Sequence, residues 1–176
     1  MATATAASWV FAMLLIVAGA GKVTRPEPTS VALRQARLPA GARLVRTIGG
    51  GEIILGGLAL LPGGTLPMAG LVTAYAVLAL VARRQQRAGA DCGCFGTGGA
   101  PVTSLHVGVD WLAAAIGLVA AVAPGPSVTA ILAARPWPGL VALTLAATAA
   151  AALRLLLTGA PDLTAAIALH EPDGTA

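Results

Sequence analysis

Charge is what this chain lacks most. Only 10% of its 176 residues are charged, seven of them acidic, while 57% are hydrophobic and the mean hydropathy is +0.84. That balance excludes an ordinary soluble domain and describes an integral membrane protein. Aromatics are scarce too, at 3%, so the stacking surfaces of a nucleic-acid reader are missing. The pI near 10.0 comes from arginines beside apolar runs rather than on a polar face, which makes them topology signals and leaves nucleic acid out as a partner. No lysine or arginine precedes Lys22; without a basic n-region, the first apolar run reads as an uncleaved span rather than a signal peptide. There is no repeat of solenoid length, and only two cysteines.

What is present is a series of apolar runs, at residues 6–23, 44–61, 66–81, 102–123 and 137–157. Each is close to the ~20 residues that carry a helix across about 30 Å of hydrocarbon. Residues 24–43 hold three prolines and four arginines and cannot span; Val31, Leu33 and Leu38 suit a short interfacial helix bounded by Pro28 and Pro39. The count is therefore five spans, or four with an interfacial helix. Gly49, Gly50, Gly51, Gly56 and Gly57 crowd the second run, and in lipid such residues let backbones approach closely. Pro62-Gly63-Gly64 and Pro124-Gly125-Pro126 mark turns. Trp9, Trp111 and Trp137 read as interfacial anchors. Three regions follow: a membrane domain at 1–123, a loop and further transmembrane helix at 124–158, and a polar flexible tail at 159–176.

Five spans would put ten of the eleven basic residues on one side and leave only Arg135 on the other. The positive-inside rule makes the crowded side cytoplasmic, with the amino terminus outside. The two cysteines fall on that cytoplasmic side, whereas disulfides usually form on the opposite one. The two expectations conflict.

The cysteines stand one residue apart, in Asp91-Cys92-Gly93-Cys94-Phe95-Gly96, between the third and fourth runs. A Cys-x-Cys disulfide closes a very small ring, and strain would make it oxidising. Gly93 permits the turn if φ must be positive. Asp91 opposes thiolate formation and the nearby arginines favour it. His106 lies one loop away, so Cys92, Cys94 and His106 are three of the four ligands that a soft metal ion would take; the other reading of His106 is a polar residue at the membrane boundary. Asp110 is one turn further and shares its face, placed to orient the imidazole or carry protons to the thiols. Glu52 sits inside the second run, where an unpaired carboxylate is costly. Its partner is Lys22 in preference to Arg46, as a structural pair or a proton relay.

Gly-Ala-Gly-Lys at positions 19–22 closes the first run, Gly51-Glu52 stands in the second, and Asp-Cys-Gly-Cys-Phe-Gly precedes the fourth. In this order the chain resembles the methylamine-utilisation protein MauE family over residues 8–122. It is also similar to the broader DoxX-like membrane proteins, which share the four-helix layout and the first two features. The resemblance implies an all-α polytopic membrane bundle, a four-helix core here followed by a fifth C-terminal transmembrane helix. It implies a thioredoxin-like partner and a part in maturing the disulfide-rich small subunit of methylamine dehydrogenase. Cys92 and Cys94 would be the redox pair, and Glu52 with Lys22 the buried polar pair. Val109 stands where the family leads one to expect a basic residue near Asp110.

The function expected is thiol-disulfide exchange at the bacterial plasma membrane: one thiolate opens the partner's disulfide and the second cysteine resolves the mixed disulfide. A quinone is the cofactor suggested by analogy with other membrane disulfide-forming systems. Two alternatives stand beside it: a non-enzymatic assembly or metal-binding module on Cys92, Cys94 and His106, and a small transporter using Glu52 and Asp110.

Overall fold

The computed structural model describes residues 2–96 and 101–168. Seven helices account for most of them: α1 (Ala2–Thr24), α2 (Pro26–Gln35), α3 (Ala42–Leu60), α4 (Thr65–Arg87), α5 (Ser104–Val122), α6 (Val128–Ala134) and α7 (Pro136–Ala168). The protein is an all-helical, multi-pass membrane bundle. Among the described residues, α1, α4, α5 and α7 are long and apolar enough to cross a membrane. α3 has the length of α5 but carries Arg43, Arg46 and Glu52.

Packing explains how α3 joins the others. Gly19 of α1 lies against Gly49 of α3, and further along the seam Gly56 lies against Ile16 and the Ala12 carbonyl. Residue numbers rise on one helix as they fall on the other, so α3 runs antiparallel to α1 through the bundle. A Cβ on Gly19 would stand 2.5 Å from the Gly49 carbonyl oxygen, and one on Gly49 2.6 Å from that of Gly19; only glycine allows this approach. α4 packs along α5, and α1 also touches α5 and α7, which makes it the central helix. The Tyr75 hydroxyl donates to the Phe11 carbonyl at 2.7 Å and fastens α4 to α1.

Several local features depart from the sequence reading. α2 starts at Pro26, whose fixed φ suits a first helical position, and it is more than an interfacial strip: Pro26, Thr29, Ser30, Ala32 and Leu33 are buried while Val31 faces out. The proline-broken loop after α5 contains α6, capped by the Ser127 side chain accepting from the Ala130 N–H. α7 continues to Ala168, so the boundary drawn at 158 falls inside a helix; residues 169–176 of the expected tail lie outside the described residues. Trp111 and Trp137 are exposed, whereas Trp9 is buried in the core and cannot be an anchor.

Candidate functional site

The site is built where the C-terminal end of α1 meets the loop between α4 and α5. Because the helices run antiparallel, the glycine contact sets Lys22 against Gly49 and Glu52 against Gly19, and the two side chains meet across it. The Lys22 ammonium donates to both carboxylate oxygens of Glu52, at 2.8 Å to Oε1 and 2.7 Å to Oε2, and both residues are buried. Of the two partners open to Glu52, Lys22 is the one it takes. A buried pair of this kind is held by geometry, since each charge alone would be strongly unfavourable there. Being buried and paired, Lys22 drops out of the charge count along the chain.

The Cys92 loop is fastened from two sides. On one, Gly93 lies so close to the α2 backbone at Pro28 and Thr29 that no Cβ fits, and the Thr29 hydroxyl donates to the Gly93 carbonyl. The Asp91 N–H donates to Gln35 Oε1 at 3.1 Å, and Arg84 Nε donates to the Ala36 carbonyl at 3.2 Å, tying α2 to α4 as well. On the other side Phe95 and Gly96 rest on Gly21 of α1, where an added Cβ would stand 2.5 Å from the Phe95 carbonyl oxygen. The expectation for Gly93 is corrected here. Its φ is not positive; that conformation belongs to Gly96, at φ 71°, and Gly93 is required for close approach instead.

Cys92 is buried and Cys94 half-buried, both as free thiols. The two side chains lie against each other. Contact with Cys94 holds the Cys92 thiol below its ordinary range, and the same contact together with burial pushes Cys94 well above it. Of the pair, Cys92 is therefore the thiol that ionises first.

Both sulfurs line a cavity shared with Lys22, Tyr75, His106 and Asp110, with about 40 Å³ open to water-sized molecules. That is room for roughly two or three waters. An apolar cavity of about 150 Å³ takes up a benzene ring; this one is too small to enclose a quinone ring.

His106 is set by the start of α5. The Thr103 N–H donates to His106 Nδ1 at 3.2 Å, a capping box in which histidine fills the place usual for Glu or Gln. An Nδ1 that accepts carries no proton, so the proton is on Nε2. Nε2 is buried with no partner among the described residues, on a side chain that lines the cavity. Among the described residues no hydrogen bond joins His106 to Asp110, so the orienting group is Thr103 rather than the expected aspartate. Among the described residues, too, no three His, Cys, Asp or Glu side chains converge to hold a metal ion, so the expected Cys92, Cys94 and His106 ligand set is not assembled there. Thr103 three residues before His106, just ahead of an apolar run, was the sequence signal for this cap.

A helical, multi-pass membrane protein with a dithiol loop seated above a buried lysine–glutamate pair is the class defined by these features. The model of the family Methylamine utilisation protein MauE matches residues 1–128, and the chain belongs to that family. Neither the curated proteins nor the solved structures yield a match. The matched region takes in α1 to α5 with Lys22, Glu52, both cysteines, His106 and Asp110, and leaves α7, whose Leu157 also lines the cavity, outside.

Proposed function

We propose that this protein exchanges thiols and disulfides with a thioredoxin-like partner at the bacterial plasma membrane. The observation that carries the reading is the contact between Cys92 and Cys94, in a loop fastened to α1 and α2 and opening on a cavity with polar groups. Inert thiols used for packing have no need of Lys22, His106 and Asp110 around them.

In the exchange, the Cys92 thiolate attacks one sulfur of the partner's disulfide; that S–S bond breaks, a mixed disulfide forms and a partner thiolate leaves. The Cys94 proton passes by cavity water to Asp110, and the Cys94 thiolate attacks Cys92 Sγ, releasing the second partner thiolate as the Cys92–Cys94 disulfide closes. Two electrons have moved from this protein to its partner, and the reverse sequence oxidises the partner. His106 Nε2–H, in the same cavity, donates to the developing thiolate. The Lys22–Glu52 pair fixes the floor of the site. Charge bias supports a cytoplasmic position for this end of the bundle, and the family's name, a methylamine-utilisation protein, supports a client in methylamine metabolism.

Trapping tests the reading. Cys94→Ser, which cannot resolve, should accumulate a mixed disulfide with a thioredoxin-like protein, seen by mass on non-reducing gels. A Cys92→Ser, Cys94→Ser double variant that retains full activity in cells would instead favour a transporter. Labelling intact cells and inverted vesicles with an impermeant thiol reagent tests the membrane side separately.

A further inference from the structure

The seam between α1 and α7 is open. Ile16 and Val17 face Ala147 and Ala151 across a groove of about 420 Å³, because alanine side chains on α7 are too short to close it. Towards the site end the groove runs into a second space of about 480 Å³, and Val17 and Arg154 line both. Arg25 and Phe95 complete that second space. Arg154 is the unusual residue. It lies inside the apolar span Pro136–Gly159, is exposed, and stands over the Phe95 ring at 5.9 Å. Among the described residues neither it nor Arg25 is paired with a carboxylate, the ion pairs being Lys22–Glu52 and Arg34–Glu27.

An unpaired guanidinium below the end of a lipid-facing helix is unfavourable unless an anion meets it. Lipid supplies that anion together with an acyl chain of the right polarity for the groove. We propose that the α1/α7 groove binds an anionic phospholipid, its phosphate held between Arg25 and Arg154 and one acyl chain lying along Val17, Ala147 and Ala151. The two arginines suit phosphate geometry better than a neutral headgroup. Their position fits the interface, where each basic residue adds to the binding of acidic lipid. The site does not depend on the redox reading, since none of its groups takes part in thiol exchange.

Native mass spectrometry of the detergent-purified full chain, with added phosphatidylglycerol or phosphatidylcholine, tests this. Phosphatidylglycerol should be retained in preference. Arg25→Gln and Arg154→Gln should each weaken it about fivefold, while Arg154→Lys keeps much of the binding and Arg135→Gln, at the other end of α7, changes nothing. Arg25 is exposed in the junction between α1 and α2, so its variant gives a reading even if Arg154→Gln fails to fold. Equal retention of both lipids, undiminished binding in Arg25→Gln, or a groove filled by a second copy in lipid-free dimers would each overturn the proposal.

Discussion

The central helix makes two long contacts, and they are built in opposite ways. Against α3, glycines bring the backbones together until carbonyl oxygens leave no room for a methyl group, and this closeness lets Lys22 and Glu52 meet with both oxygens engaged. Against α7, alanines leave a gap and a lone arginine faces outward. The first seam lies within the region shared with the family and underlies the thiol loop; most of the second lies beyond it. Close packing is what makes a buried charge tolerable, and loose packing is what makes room for lipid.

Breaking the tight seam at its charges should give the largest effect. Glu52→Ala leaves Lys22 buried and alone, a loss of about 3–5 kcal/mol, measurable as a fall in thermal stability in detergent or failure to accumulate. Lys22→Met combined with Glu52→Leu should recover most of the loss, because the penalty is that of the uncompensated charge. A double variant as unstable as the single one would mean that the pair contributes more than mutual neutralisation.

Backbone approach comes next. Gly49→Ala forces the helices apart, since the new methyl group meets the Gly19 carbonyl and the Lys22 Cβ, and should cost about 1–3 kcal/mol. Gly57, on the same helix, meets nothing within 4 Å; Gly57→Ala should be neutral or raise stability by about 0.5–1 kcal/mol. Equal responses at the two positions would show that the seam is not limited by contact at Gly49.

The tight seam continues into the loop through Gly21 and Gly96, and thiol reactivity reports on it. The Cys92 pKa is lowered, mainly by contact with Cys94, so its thiolate persists to a lower pH than that of a free cysteine and is lost as pH falls through that lowered value. Iodoacetamide labelling, followed by peptide mass against pH, should modify Cys92 before Cys94. Cys94→Ala removes the leading cause and should move the Cys92 profile to higher pH. An unmoved profile would assign the shift to other groups.

Much of this was legible in the sequence, for a physical reason. Apolar runs report spans directly, and a lone glutamate among them must find a cation, which narrowed the partner to Lys22 or Arg46. The contacts that fasten the loop were not legible. Thr29 and Gln35 reach Gly93 and Asp91 across more than fifty residues of chain, and no local pattern encodes such a meeting. Gly93 shows the same limit: glycine was correctly singled out, but the choice between positive φ and close approach depends on what lies opposite, here the α2 backbone. The Thr103 cap on His106 was passed over because the spacing to Asp110 drew the reading to that aspartate. Nothing in the composition of α7 distinguished an alanine face left open from one that is packed.

Filling the loose seam should have the smallest effect on stability and still be informative. Ala151 lines the groove and is exposed, so Ala151→Leu puts a larger apolar side chain where lipid would lie and should change the melting behaviour within about 0.5 kcal/mol. Retention of phosphatidylglycerol should nevertheless fall, because the acyl chain loses its place although both arginines remain. The same substitution at Ala12, buried in the core beside Gly56, should destabilise strongly through overpacking. If Ala151→Leu proved as damaging as Ala12→Leu, the α1/α7 seam would be a packed interface like the other, and the contrast between the two faces of α1 would be lost.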